Sequence, residues 1–191
     1  MAICGIDEAG RGPIAGPLTV AGCVFKMENG ELRIENYLDL LNDSKKLSVK
    51  KREELFEVIK QTCKYHIVFV DNKTIDEKGL SFALNYALNE IKNSLKAEKY
   101  LFDGNSAFGV NGIETIIKGD AKIKEISAAS ILAKVSRDRY MTEIAEKYPE
   151  FNFKKHKGYI TKEHIEEIKK YGFSDIHRKS YRLKALEPTL F

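Results

Sequence analysis

The strongest constraint on the fold of this chain is a series of short apolar segments of β type that end in acid and glycine, with helical stretches between them. Ala2 to Ile6 runs into Asp7-Glu8, Tyr100 to Phe102 stops at Asp103-Gly104-Asn105, and Glu114 to Ile117 leads to Gly119-Asp120. Leu18 to Phe25 and Tyr65 to Val70 complete five predicted strands. A helix is predicted from an N-cap at Ser48 to about Thr62, with Leu55, Val58 and Ile59 on one face. Thr74 and Glu77 form a capping box that opens a second helix reaching toward Leu95. A long helix runs from Lys124 to Lys147, closed by Pro149, and another spans Thr161 to Tyr171 beyond a basic turn. Three β-type segments, with a helix before the third, thus give way to alternating helix and strand. That order predicts an α/β chain with helices covering a sheet, and it leaves the strand pairing open.

Without internal repeats or a low-complexity linker, the 191 residues read as one main domain. A chain of this size buries about 70% of its unfolded surface, enough to fold without a disulfide or a structural metal. Cys4, Cys23 and Cys63 are odd in number and lack CxxC spacing, which reads as reduced thiols in a cytoplasmic protein. The longest uncharged run, Pro13 to Phe25, is too short to span a bilayer, and Asp7 and Glu8 stand where a signal peptide needs apolar residues.

Acids at several strand ends can converge at one rim of a sheet. Like charges held that close are costly unless a cation screens them. Oxygen ligands without a Cys or His partner suit Mg²⁺ or Mn²⁺ rather than zinc, and two such ions about 4 Å apart can act on a phosphodiester. Any one of these acids taken alone also fits an ordinary Asp-Gly turn. Gly10-Arg11-Gly12 follows the first acidic pair directly; bare backbone on either side of an arginine admits a ligand closely, and arginine grips phosphate with two donors. It is neither a dinucleotide fingerprint nor a P-loop. His156, His164 and His177 are spaced for no zinc module and read as surface or hydrogen-bonding residues. Ser127 and Ser130 lie in a small-residue stretch that allows close helix packing.

Read together, DEAGRGPIAGP (7–17), DSKKLS (43–48), FDGN (102–105), KGDAK (118–122), ISAASILAKVSRDRYM (126–141), KHKGY (155–159) with TKEH (161–164), and IHRKSY (176–181) resemble the motifs of the ribonuclease HII family, in order and over nearly the whole chain. The bacterial form is the most similar. The resemblance implies a ribonuclease H-like fold, with a mixed five-stranded sheet flanked by helices and a small helical C-terminal part. It implies endonucleolytic cleavage of RNA in RNA–DNA hybrids and on the 5′ side of single ribonucleotides in duplex DNA, leaving 3′-hydroxyl and 5′-phosphate ends. The family's four catalytic, metal-holding acids fall on Asp7, Glu8, Asp103 and Asp120, with two Mg²⁺ or Mn²⁺ ions expected with substrate. Gly10, Arg11 and Gly12 match the element that reads the 2′-hydroxyl through its backbone, the group that separates RNA from DNA. Tyr159 matches the tyrosine that packs on the following sugar, and Lys45, Arg139 and Lys162 match positions that hold phosphates.

Ile160 in place of a small residue, and Gly172-Phe173 in place of Gly-Pro, depart from the family pattern and bear on the placing of Lys162. The first alternative is a related ribonuclease of type HIII, which needs several consecutive ribonucleotides; the intact Gly-Arg-Gly argues against it. A non-catalytic hybrid-binding protein is the alternative from another class, and the four acids speak against it. The final residues, Glu187 to Phe191, resemble the peptide by which bacterial replication proteins dock on the sliding clamp, with Leu190 and Phe191 as its anchors. A monomer is expected.

The formal charge of +4 is unevenly placed. Residues 1–146, read as the catalytic domain, carry 21 Lys and Arg against 22 Asp and Glu. Residues 147–191, read as a helical substrate-binding segment, carry 11 against 6. A basic face of this kind predicts salt-sensitive nucleic-acid binding.

Overall fold

β1 (Ile3–Ala9) is longer than its apolar run, because Asp7 and Glu8 lie inside it, paired with Ala21 and Val20 of the antiparallel β2 (Leu18–Phe25). Continued pairing with β2 carries the strand past the hydrophobic residues. On the other side the parallel partner stops sooner, at the Ile6–Phe102 pair, so the acids stand at an open rim. The computed structural model describes residues 2–28, 30–41 and 47–183. Lys45 and the tail 184–191 therefore lie outside the described residues.

After a two-residue hairpin, β3 (Met27–Glu28) and β4 (Glu31–Leu32), come α1 (Leu38–Leu41) and α2 (Val49–Thr62). The cap of α2 is as the sequence predicts: the Ser48 side chain accepts from the Lys51 amide at 3.2 Å. β5 (Cys63–Val70) then leads to α3 (Asn72–Lys78) and α4 (Leu80–Ser94). Asp71, not Thr74, is the cap, accepting from the Thr74 amide at 2.7 Å, and the single expected helix is divided at Gly79, whose φ of 85° no helix accommodates.

β6 (Lys99–Asp103) and β7 (Glu114–Ile116) complete a sheet of order β5-β2-β1-β6-β7. β2 runs antiparallel to both neighbours, whereas β1, β6 and β7 are mutually parallel. The sheet is thus mixed and five-stranded, as the resemblance implies. Asp120 sits not at a strand exit but in a 3₁₀ turn, Gly119–Ala121, that leads into α5 (Lys124–Ile144). A 3₁₀ turn prolongs α5 to Lys147, and α6 (Phe153–His156) and α7 (Lys162–Tyr171) follow. Among the described residues no helix is long and apolar enough to cross a membrane.

α4 buries Leu84, Leu88 and Ile91 against Ile6, Val20 and Phe102 on one face of the sheet. Each such side chain contributes about 1.5–3 kcal/mol over leaving it exposed. On the other face α2 and α5 pack over Ala9, Ala21 and Cys23. There α5 crosses β1 so closely that a Cβ on Gly5 would lie 2.1 Å from the Glu125 carbonyl carbon. A third core joins Ile14, Ala15 and Met141 to Phe151, Phe153, Ile168 and Ile176, so the C-terminal segment is built onto the body rather than beside it.

Candidate active site

Consecutive strand residues point to opposite faces, and this sorts the first two acids. Asp7 faces α5, where Ser130 lies beside its carboxylate and favours the charged form, and its Oδ1 accepts from the Glu8 amide at 2.7 Å. Asp103, one residue beyond the Ile6–Phe102 pair, stands abreast of Asp7, and its Oδ1 accepts from the Gly119 amide at 3.0 Å. That bond ties the 3₁₀ turn carrying Asp120 to the end of β6. Carboxylate oxygens of Asp7, Asp103 and Asp120 consequently lie within 4.8 Å of one another, with Asp7 and Asp120 buried. Glu8 turns the other way and forms an ion pair with Arg11 Nε at 2.5 Å. Its Oε2 is buried and accepts no hydrogen bond among the described residues.

Burial, and then the neighbouring charge of Glu8, raises the Asp7 carboxyl well above the ordinary range. Burial likewise lifts Glu8 to about 7, although Arg11 opposes it. Buried acids that repel one another call for a compensating cation, and the donors here are all hard oxygens. The residues fit a divalent ion of the Mg²⁺ or Mn²⁺ kind, with an unsatisfied Glu8 oxygen beside it.

Gly10-Arg11-Gly12 adjoins this centre. The Arg11 guanidinium lies 5.3 Å from the Phe108 ring and 5.8 Å from that of Phe102. Its carbonyl accepts from the Tyr181 hydroxyl at 2.7 Å and from Arg178 Nη1 at 3.1 Å. Arg178 is fully buried and also donates to the Gly16 carbonyl. Arg137, equally buried, donates to the carbonyls of Pro17, Ala15 and Lys157 at 2.9–3.0 Å, and so ties the glycine-rich loop to the loop carrying Tyr159. A groove of about 280 Å³ runs along Glu8, Gly10, Ser130, Lys134, Arg52 and Tyr159. The Tyr159 ring forms its exposed wall, over Lys134 Nζ at 5.3 Å and Arg137 Cζ at 5.4 Å.

Asp7, Asp103 and Asp120 are therefore brought together, with Glu8, Gly10, Arg11, Gly12 and Tyr159 around them. Two of the expected phosphate ligands have other surroundings. Arg139 is held by Glu53 and Glu57 on α2 and stacks 4.4 Å above the Phe56 ring. Lys162 is exposed at the start of α7. From the sequence, Ser130 has only a packing role, and Lys134, Arg137, Arg178 and Arg52 have none. Ser130, Lys134 and Arg137 recur at one-face helical spacing on α5, a pattern that could have marked them.

The profile of the family described as Ribonuclease HII matches residues 4–184. A ribonuclease HII of Aliarcobacter butzleri is 56% identical over 186 residues, which is 96% of this chain and 92% of that protein. One from Sulfurovum sp. is 53% identical over 190 residues, 99% of this chain and 96% of its own. Among solved structures, one of the PCNA:RNase HII complex from Archaeoglobus fulgidus contains a chain that matches with a TM-score of 0.79 and 29% identity, covering 96% of both chains.

Proposed function

Because the chain belongs to the ribonuclease HII family, and is therefore a divalent-metal-dependent endonuclease of the ribonuclease H type, we propose that it hydrolyses the RNA strand of RNA–DNA hybrids and cuts 5′ of single ribonucleotides embedded in duplex DNA. The products carry 3′-hydroxyl and 5′-phosphate ends. The observation that carries this reading is the meeting of Asp7, Asp103 and Asp120 beside a groove bounded by Gly10 and Tyr159.

Asp7, Glu8, Asp103 and Asp120 would hold two Mg²⁺ or Mn²⁺ ions with substrate, which would supply charge neutralisation at the scissile phosphate and a more acidic water. The protein's own residues do the rest by positioning. The Gly119 amide and Ser130 aim the carboxylates of Asp103 and Asp7. Arg178 and Tyr181 hold the Arg11 carbonyl, so that the amides of the Gly-Arg-Gly element face a 2′-hydroxyl in a fixed orientation. Tyr159 packs on the next sugar, where deoxyribose leaves room for the ring. Arg52 and Lys134 line the groove and supply cations for the flanking phosphates, a role Lys45 and Lys162 share and Arg139 takes on if substrate releases it from its carboxylates.

The deciding experiment is cleavage of a duplex containing one ribonucleotide, with Mg²⁺, Mn²⁺ and EDTA compared. A single cut on the 5′ side, lost in EDTA, is expected. Cleavage only of substrates with several consecutive ribonucleotides would place the chain with the type HIII enzymes. The A. fulgidus protein is described in complex with PCNA, and this supports a sliding clamp as partner; the sequence of the tail offers Leu190 and Phe191 as the contact. Unchanged clamp affinity after removal of residues 187–191 would rule out that contact.

A further inference from the structure

Behind Tyr159 lie three buried histidines, and their partners fix where each proton sits. His177 Nδ1 accepts from the Ser174 amide at 2.9 Å and faces the Ser174 hydroxyl at 2.7 Å. Its proton is therefore on Nε2, which lies 3.0 Å from His164 Nε2. His164, accepting there, must carry its own proton on Nδ1, which donates to the Tyr159 carbonyl at 2.9 Å. The chain has one direction and one neutral arrangement. His156 is not a link in it but stacks on the His164 ring at 4.1 Å between centroids, accepting from the Gly158 amide and donating to Glu167 at 2.9 Å. His156, His164 and Glu167 are close enough to hold a metal, but every ring nitrogen is already committed, which makes the cluster a hydrogen-bonding device.

We propose that His164 and His177 are positioning residues for the choice of cleavage site: the chain from Ser174 ends on the Tyr159 carbonyl and, with Arg137 beneath the ring, sets where that ring stands in the groove. Arg137 also grips the Lys157 carbonyl, so the loop is held on both sides of Gly158. A shift of about 1 Å in such a group can cost about a hundredfold in rate. The inference rests on Tyr159 reading the junction between ribose and deoxyribose.

The test compares kcat and KM on a single-ribonucleotide duplex and on an all-RNA hybrid, using the full chain. Tyr159→Ala is expected to lose about tenfold more kcat on the first substrate than on the second. His177→Phe fits among the rings of Phe151, Phe153 and Phe173 but cannot donate to His164, and it should show the same selective loss. His177→Gln keeps an N–H for His164 and should stay near wild type. The double variant Tyr159→Ala/His177→Phe should be no worse than Tyr159→Ala, because both act through one ring. Losses that multiply, a Gln variant no better than Phe, or equal effects on both substrates would overturn the proposal. If Tyr159→Ala is itself unselective, the junction reading falls and the proposal with it. If Tyr159→Ala is selective and His177→Phe is not, only the proposal falls. Ring ¹⁵N shifts of the wild-type protein give a measurement independent of any variant: His164 protonated on Nε2 rather than Nδ1 would also overturn it.

Discussion

A Cβ on Gly10 would lie 2.3 Å from Arg137 Nε and 2.7 Å from the Pro17 carbonyl, at a φ of +99°, whereas one on Gly12 would meet nothing within 4 Å. Gly10 is thus required by the protein's own packing, whereas the packing makes no demand for glycine at position 12, in keeping with the proposed approach of a 2′-hydroxyl there. Gly10→Ala should lower stability by about 1–3 kcal/mol, a fall of several degrees in Tm by calorimetry. Gly12→Ala should leave Tm unchanged and reduce cleavage; a matching loss of stability would show that its role is internal. The motif alone could not separate the two, since the obstructing arginine lies far along the chain. Asp7 gives a second residue-scale prediction. A carboxyl whose folded pKa is raised contributes stability that is complete below its unfolded value, near 3.8, and is lost as pH rises through the folded one. At pH 8 without divalent ions, Asp7 therefore costs stability. Asp7→Asn should raise Tm under those conditions while lowering Mg²⁺-supported turnover by about a hundredfold or more. A variant less stable than wild type there would contradict the burial argument.

α5 is the element that assembles the site. It crosses β1 at Gly5, and from one face it presents Ser130 to Asp7, Lys134 to the groove and Arg137 to three loop carbonyls. Arg137→Met would leave those carbonyls without a donor, each costing about 1–3 kcal/mol when buried. A loss of about 3 kcal/mol or more, or roughly 6–12 °C in Tm, is expected by thermal denaturation, with single-ribonucleotide cleavage falling alongside. Arg137→Lys, reaching fewer acceptors, should fall between; a neutral effect of the Met variant would mean the loops hold themselves. Elements whose signals are local were legible in the sequence: the Ser48 cap and the extent of α7 stand as read, and of the predicted α2 face Leu55 and Ile59 are buried, with Phe56 rather than Val58 completing it. Those set by distant partners were not. β1 continues through its acids because β2 pairs with it, and Asp120 is delivered by a turn that an Asp103 oxygen pins. Arg137 and Arg178 escaped notice because charged residues belong on surfaces unless something buried needs five donors.

At the scale of the whole molecule, two buried groups of opposite response set how stability follows pH. Burial pushes His164 and His177 down to about 4. Their contribution is present above the unfolded value of about 6.5 and is lost as pH falls toward 4. The acidic centre works the other way: Glu8, raised to about 7, and Asp7 lose stability as pH climbs from their unfolded values through the folded ones. Between about pH 4.5 and 6.5 the two trends oppose each other, and above that only the acids still act. A divalent ion at this centre that keeps Asp7 and Glu8 charged would remove the acids' dependence and leave that of the histidines. The Tm difference between Mg²⁺-loaded and metal-free protein, in which all other titrations cancel, should therefore grow with pH from about 4.5 and level off once Asp7 and Glu8 have lost their protons. Asp7→Asn should flatten that rise, and His177→Gln should leave it intact because the histidines lie outside the ion's reach. Scanning calorimetry across pH 4.5–8.5 with and without Mg²⁺ decides the matter: a difference independent of pH would mean that protons and metal do not compete for these carboxylates.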